Sequence, residues 1–214
     1  MNRRNLLGLI LAASPMLSFA PFLSTPAAAQ NVDVKAVLHD PDAPEGGNPK
    51  GDVTIVAFTD YNCPYCKKSA PDLKRIVAED GKVRLVYKDW PILTKASVYG
   101  ARLALAAKYQ GKYETVHDAL MGIPGRQIPD AKMLEAVKAS GVDMARLNAD
   151  LKKHNDEIAA LLKRNIDQAD ALGMQGTPTY LIGPFRTSTL DYGGFKQALA
   201  EARRRQAAGQ GISE

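Results

Sequence analysis

Cys63 and Cys66 are the only two cysteines in this 214-residue chain. They stand in the run Thr59-Asp60-Tyr61-Asn62-Cys63-Pro64-Tyr65-Cys66-Lys67. Residues three apart on a helix are about one turn apart, so the second sulfur reaches the first and the pair can open and close as a disulfide. A thiol attacks only as thiolate, and at a helix N-terminus unpaired backbone N–H groups and the macrodipole favour that anion. Pro64 suits the first helical turn, where a missing N–H costs nothing. The pattern is that of a redox centre. A four-ligand zinc site needs two more Cys or His, and the only histidines, His39, His117 and His154, are scattered. Haem attachment needs His after the second Cys, where Lys67 stands. A purely structural disulfide across so short a loop constrains little unfolded-chain entropy. Neither a cofactor nor a zinc or haem site is expected.

The elements that position this pair follow from the apolar pattern. Val53 to Thr59 is nearly continuous in apolar residues, as in a central strand covered on both faces. A helix follows from Pro64, with Pro71 inside it as an expected kink and Gly81 as its stop. Val83, Leu85 and Tyr87 alternate as a second strand, and Val32, Val34 and Leu38 alternate as an edge strand upstream. Residues 40 to 51, rich in Asp, Pro, Gly and Asn, read as a surface connection. From about Ile92 to Leu172 the pattern is helical. Ala101 and Leu105 share one face; Tyr113, Val116 and Leu120 stripe the next helix; Asp130 caps a third with Leu134 and Val137 inward; and Asp143 starts the last stretch, with a break near Asn155. His154 falls on the apolar stripe and reads as a partly buried, satisfied histidine. The methionines are scattered gap fillers. Thr179 to Ile182 is again strand-like, Gly183-Pro184 turns, Phe185 to Thr189 pairs back, and Tyr192 to Arg205 is a closing helix.

Gly176-Thr177-Pro178-Thr179-Tyr180 puts a proline at the start of that later strand. Alone this is common. Together with an upstream Cys-X-X-Cys it is the expected partner loop. A cis Thr177-Pro178 bond would present the backbone of Thr177 beside Cys63, where an extended substrate strand pairs with it.

Residues 1 to 29 have the parts of an export signal: Arg3 and Arg4, an apolar stretch from Leu6 to Ala13, and small residues ending Ala27-Ala28-Ala29. Pro15 and Pro21 interrupt any membrane-spanning run. Whether export uses the twin-arginine route stays open. The whole chain has 28 Lys and Arg against 23 acids. The segment 1 to 29 holds two of those basic residues and no acid, so the remainder has an excess of about three positive charges. Without a basic stripe or interleaved aromatics, this gives no case for nucleic acid. Arg203-Arg204-Arg205 reads as a solvated helix end. In the bacterial periplasm disulfides persist, so a chain with a single reactive pair suggests a worker on other proteins' disulfides.

Cys63-Pro64-Tyr65-Cys66, Pro71 and Thr177-Pro178, in that order, resemble the thioredoxin superfamily, and the long helical insert resembles its DsbA-like branch. The runs Asp40-Pro41-Asp42-Ala43-Pro44, Gly47 to Val53, Tyr61 to Cys66 and Gly176 to Thr179 are similar to exported DsbA-family and ScsC-type proteins. The resemblance implies an α/β thioredoxin-like fold with an inserted all-helical subdomain. Its expected limits are 1–29 signal peptide, 30–91 first part with the cysteine pair, 92–172 helical insertion, 173–206 second part with the cis-proline loop, and 207–214 tail. It implies that Cys63 forms the mixed disulfide, Cys66 resolves it, Pro64 and Tyr65 complete the motif, and Thr177 and Pro178 bind substrate. DsbA has His where Tyr65 stands, and a buried acid common in the superfamily is replaced by Ala57. Proton transfer at Cys66 then needs water or Asp60, whose other reading is an exposed turn acid.

Three functions stay open on this reading. The first is a periplasmic dithiol oxidase acting on exported cysteine-containing proteins, with a DsbB-like or DsbD-like membrane redox partner. The second is a reductase or isomerase of ScsC type, for which Thr before the proline and Tyr65 speak. The third is a module carrying Cu(I) on its two thiolates. The short stretch between Gln30 and Gly51 leaves no room for an N-terminal association module, so a monomer is expected.

Overall fold

The computed structural model describes residues 33–210. The expected signal at 1–29, Val32 and the last four residues lie outside the described residues. Five strands form one mixed sheet, β1 (Glu45–Gly47), β2 (Val53–Thr59), β3 (Val83–Asp89), β4 (Thr179–Ile182) and β5 (Phe185–Thr187), in the order β1-β3-β2-β4-β5. β2 and β3 run parallel, with Val53 opposite Val83 and Thr59 opposite Asp89; the other pairs are antiparallel. A parallel neighbour requires a crossover, and α2 (Pro64–Asp80) supplies it. Its stop is Gly81, whose φ of 67° a side chain would resist. Pro71 sits inside α2, which runs on past it.

Between β3 and β4 the chain makes α3 (Lys95–Ala107), a 3-10 turn (Lys108–Gln110), α4 (Tyr113–Met121), α5 (Asp130–Ala139), α6 (Met144–Lys153) and α7 (Asn155–Ala171). The α/β class with an all-helical insertion is therefore as expected. Asp143 caps α6 by accepting from the Arg146 N–H at 3.0 Å, and the break before α7 falls at His154. That histidine stacks on Tyr109 with ring centroids 3.6 Å apart. In α5 the buried pair is Met133 and Val137; Leu134 is only half covered, and Asp130 lies within the first turn while Pro129 holds the cap position. α8 (Tyr192–Ala207) closes the domain.

Apolar side chains cover both faces of the sheet. On one side Ile55, Ala57, Leu85 and Tyr87 pack with α2, α8 and the insertion helices; on the other Val56, Phe58, Val86 and Trp90 pack with α1 (Val34–Leu38) and the C-terminal half of α7. All seven residues of β3 are buried, so the alternation of Val83, Leu85 and Tyr87 understates its enclosure. The expected edge strand over Val34 and Leu38 is a helix instead. Asp33 caps it through the Ala36 N–H at 3.0 Å, and burying Val37 and Leu38 on one face suits one helical turn. Arg203 is not merely solvated: it clamps Asp80 at the end of α2 and Asp52 before β2, at 2.7 to 3.1 Å.

Candidate active site

β2 ends at Thr59, which is still buried, and α2 begins five residues later. Cys63 is the N-cap of α2: extended backbone turns its sulfur back over the first turn, where Sγ accepts the Cys66 N–H at 3.2 Å. Pro64 occupies the first helical position. Asp60 makes this turn rigid. Its carboxylate accepts the Asn62 N–H at 2.7 Å and the Leu93 N–H at 3.0 Å, and the residue is buried. The exposed-turn reading of Asp60 is thereby corrected, because two backbone donors satisfy an acid that pins the loop from inside.

The second half of the site arrives from the far side of the insertion. Thr177-Pro178 is a cis peptide, and the Cys63 thiol donates to the Thr177 carbonyl at 3.1 Å. Cys63, Cys66 and the Thr177-Pro178 pair, 114 positions apart from Cys63 to Thr177, are thus brought to one point. Tyr65, the third motif residue, is 61 % exposed and flanks the cis-proline loop in a shallow concavity with Gln175 and Thr189.

The two sulfurs are not equivalent. Cys63 retains 2 % of its surface and Cys66 none, so Cys63 is the one that a partner can meet. A hydrogen bond from the Cys66 side chain is the largest influence on Cys63. With the backbone N–H groups of Cys66 and Tyr65, it outweighs burial and brings the thiol down to about 6. Burial, then the bond to Cys63 and its negative charge, push Cys66 far up. At neutral pH the pair therefore carries one charge, on the outer sulfur.

Below the pair lies a cluster that the sequence pattern did not single out. The Tyr61 hydroxyl meets His117 Nδ1 at 3.0 Å, and the Tyr113 hydroxyl donates to Asp89 at 3.0 Å. Burial lowers His117 to about 4 and raises Asp89 to about 7. The signal available was Asp89 itself, an acid at the end of a strand whose Val83, Leu85, Val86 and Tyr87 belong in a core. Asn62 was also missed. Its side chain accepts the Ile128 N–H at 2.6 Å and donates to the Ile128 carbonyl at 3.3 Å, tying the α4–α5 loop to the residue before Cys63. Among the described residues no cluster of three or more His, Cys, Asp or Glu is placed to hold a metal ion.

Residues 40–201 match a protein family described as Thioredoxin. A thioredoxin-like oxidoreductase from Silicibacter pomeroyi DSS-3 superposes with a TM-score of 0.74 at 38 % identity, over 79 % of this chain and 97 % of that one. The thiol-disulfide exchange protein alpha-DsbA2 from Wolbachia pipientis gives 0.73 at 30 % identity, over 78 % of this chain and 90 % of that one. By sequence, the Bacillus anthracis "Probable disulfide bond formation protein D" is 26 % identical over 165 residues, 72 % of this chain and 75 % of that protein. The Na(+)/H(+) antiporter NhaA 3 of Salinispora tropica is 29 % identical over 181 residues, 80 % of this chain. This chain spans only about a quarter of that antiporter's length. The chain belongs to the thioredoxin family, among its DsbA- and ScsC-like thiol–disulfide oxidoreductases.

Proposed function

We propose that this protein is a periplasmic thiol:disulfide oxidoreductase that donates a Cys63–Cys66 disulfide to exported cysteine-containing proteins. One observation carries the reading: the low-lying Cys63 sulfur sits 3.1 Å from the backbone of the cis Thr177-Pro178 loop, so a strand paired to that loop brings its own sulfur onto Cys63. The exported location rests on the signal expected in residues 1–29. In the same reading residues 30–91 and 173–206 form the catalytic domain, residues 92–172 the lobe inserted in it, and 207–214 a tail.

A client thiolate attacks Cys63 Sγ; a client–Cys63 bond forms, the Cys63–Cys66 bond breaks, and Cys66 leaves and takes a proton. In the mixed disulfide Cys63 carries no charge, so its repulsion of Cys66 is gone while burial still favours the protonated thiol. A second client thiolate then attacks the client sulfur, and Cys63 departs as thiolate, for which its value of about 6 makes it a good leaving group. The client is oxidised by two electrons and the enzyme reduced by two. A membrane redox partner, DsbB-like, restores the disulfide, and the enzyme works as a monomer.

A second reading, a reductase or isomerase of ScsC type served by a DsbD-like partner, is favoured by Tyr65. Its side chain points to solvent and only its backbone N–H stabilises the thiolate. Two measurements decide. A Cys66→Ser variant should accumulate mixed disulfides through Cys63 and a Cys63→Ser variant none; absence of any trapped client refutes exchange. Equilibration with glutathione, combined with refolding of a reduced and of a scrambled substrate, fixes direction: unscrambling without net oxidation replaces the oxidase reading by the isomerase one.

A further inference from the structure

The first turn of α2 has a concavity on each flank. On one side Tyr65 borders the cis-proline loop; on the other Pro64 borders a larger groove of about 620 Å³ between α2 and the loop joining α4 to α5. One stripe of α2 floors this groove: Pro64, Lys67, Lys68, Pro71 and Lys74 lie at helical spacing. From Pro64 to Lys74 the helix rises about 15 Å, the length of four or five extended residues. The opposite wall, Met121 to Arg126, is apolar but for its last residue. It is fixed in place, since Lys67 Nζ donates to the Ile123 carbonyl at 2.8 Å and Asn62 holds Ile128. The groove is therefore a built wall and floor starting one residue from Cys63.

Its charge is one-sided. Lys67, Lys68, Lys74 and Arg126 face a single carboxylate, Asp118, which Lys74 already engages at 2.5 Å. Lys68 and Arg126 are exposed and have no ion pair among the described residues. An apolar trough with unspent cations fits an extended polypeptide that is apolar with carboxylates, and it repels a basic one. The segment of this chain before residue 33 contains arginines and no acid, so it does not complement the groove.

We propose that this groove holds the stretch of a client polypeptide flanking its reactive cysteine and selects clients with acidic residues two to five positions from that cysteine. The inference rests on the exchange function proposed above. Its test uses the oxidised protein and two designs of cysteine peptide, with the charged pair before or after the cysteine, each in a Glu and a Lys version. The readout is the rate of mixed-disulfide formation, measured by quenched flow. Each peptide is run against the wild type and a Lys68→Glu/Arg126→Glu variant, so that the peptide's own thiol reactivity cancels in the ratio of ratios. Both substituted side chains are exposed, and dithiothreitol, which attacks as a thiolate but carries no flanking charged residue, measures in the variant the change common to every attacking thiolate, which cancels in the ratio of ratios.

The expected result at low ionic strength is a Glu-over-Lys preference at least threefold higher in the wild type than in the variant for one of the two designs, diminishing in about 0.5 M salt as screening predicts. A ratio of ratios below threefold for both designs overturns the groove assignment and leaves the exchange function standing. Reaction with dithiothreitol but with no peptide of either charge sinks both. A preference that weakens as protein concentration rises assigns the groove to a second copy of the chain and overturns the client assignment.

Discussion

Lys88 and Asp89 are neighbours in β3, both 1 % exposed or less, and they meet burial in opposite ways. Strand side chains alternate, so Lys88 faces the α1 and α7 side of the sheet and Asp89 the α3 and α4 side. Lys88 Nζ pairs with Asp40 at 2.7 Å, and Asp40 is gripped again by Arg164 of α7 through two bonds of 2.9 Å. Burial pushes Asp40 up, but Arg164 and Lys88 outweigh it and hold the carboxyl at about 2. Asp89 has no cation paired with it among the described residues. Tyr113 and Tyr61 hydroxyls partly offset burial, and one of its oxygens has no partner. A buried charge survives where the insertion delivers a second countercharge; where it does not, the acid keeps its proton.

The largest expected effect lies on the paired side. Asp40→Asn strands the fully buried Lys88, while Arg164 keeps its pair with Asp42 at 2.8 Å, and should cost about 3–5 kcal/mol, read from the urea midpoint. In the wild type the Asp40 contribution is fully present above 3.8, its ordinary value, and is lost as pH falls through about 2, so the variant should show a smaller acid loss in that window, what remains coming from acids such as Asp80 that other partners hold low. A cost under about 1 kcal/mol would mean that the triad is a surface-like pair.

On the unpaired side the sign reverses. Asp89 holds its proton more tightly folded than unfolded, so its contribution is greatest below 3.8 and is lost as pH rises through about 7. Asp89→Asn should flatten that decline and gain on the order of 1–4 kcal/mol at pH 8. A destabilised variant at pH 8 would show that Asp89 is usefully ionised, and the contrast with Asp40 would fail.

Cys63 supplies a third environment, in which donors rather than cations hold the anion. Thiolate absorbance of the reduced protein should titrate with a midpoint near 6, and iodoacetamide should label Cys63 alone, slowing about tenfold per pH unit below it. A midpoint near 9 would remove the donors from the account. Gly81→Ala gives the smallest change, about 1 kcal/mol, because a φ of 67° strains any side chain. Being remote from both acids, it should lower thermal stability equally across pH.

The parts legible in the sequence were those set by local rules. Val53 to Thr59 is a nearly continuous apolar run, Gly81 a stop, and Cys63-Pro64 a helix start, and each stands where its chemistry requires. Thr177-Pro178 was found only by pairing it with the cysteines. Long-range polar pairing was not legible. Asp40 and Arg164 are 124 positions apart, and nothing in either neighbourhood names the other. The same holds for Asn62 with Ile128, 66 positions away. α1 failed for another reason: five residues are too few to separate a period of two from one of 3.6, and the deciding feature was the cap at Asp33.

The Asn62 clamp has a mechanical consequence. The residue that precedes the reactive sulfur is also the latch for the Ile128 end of the insertion's loop, so the lobe cannot swing away without pulling on the turn that aims Cys63. A client wedging the two apart would loosen the very sulfur it is bonded to, which couples grip on the polypeptide to release of the bond.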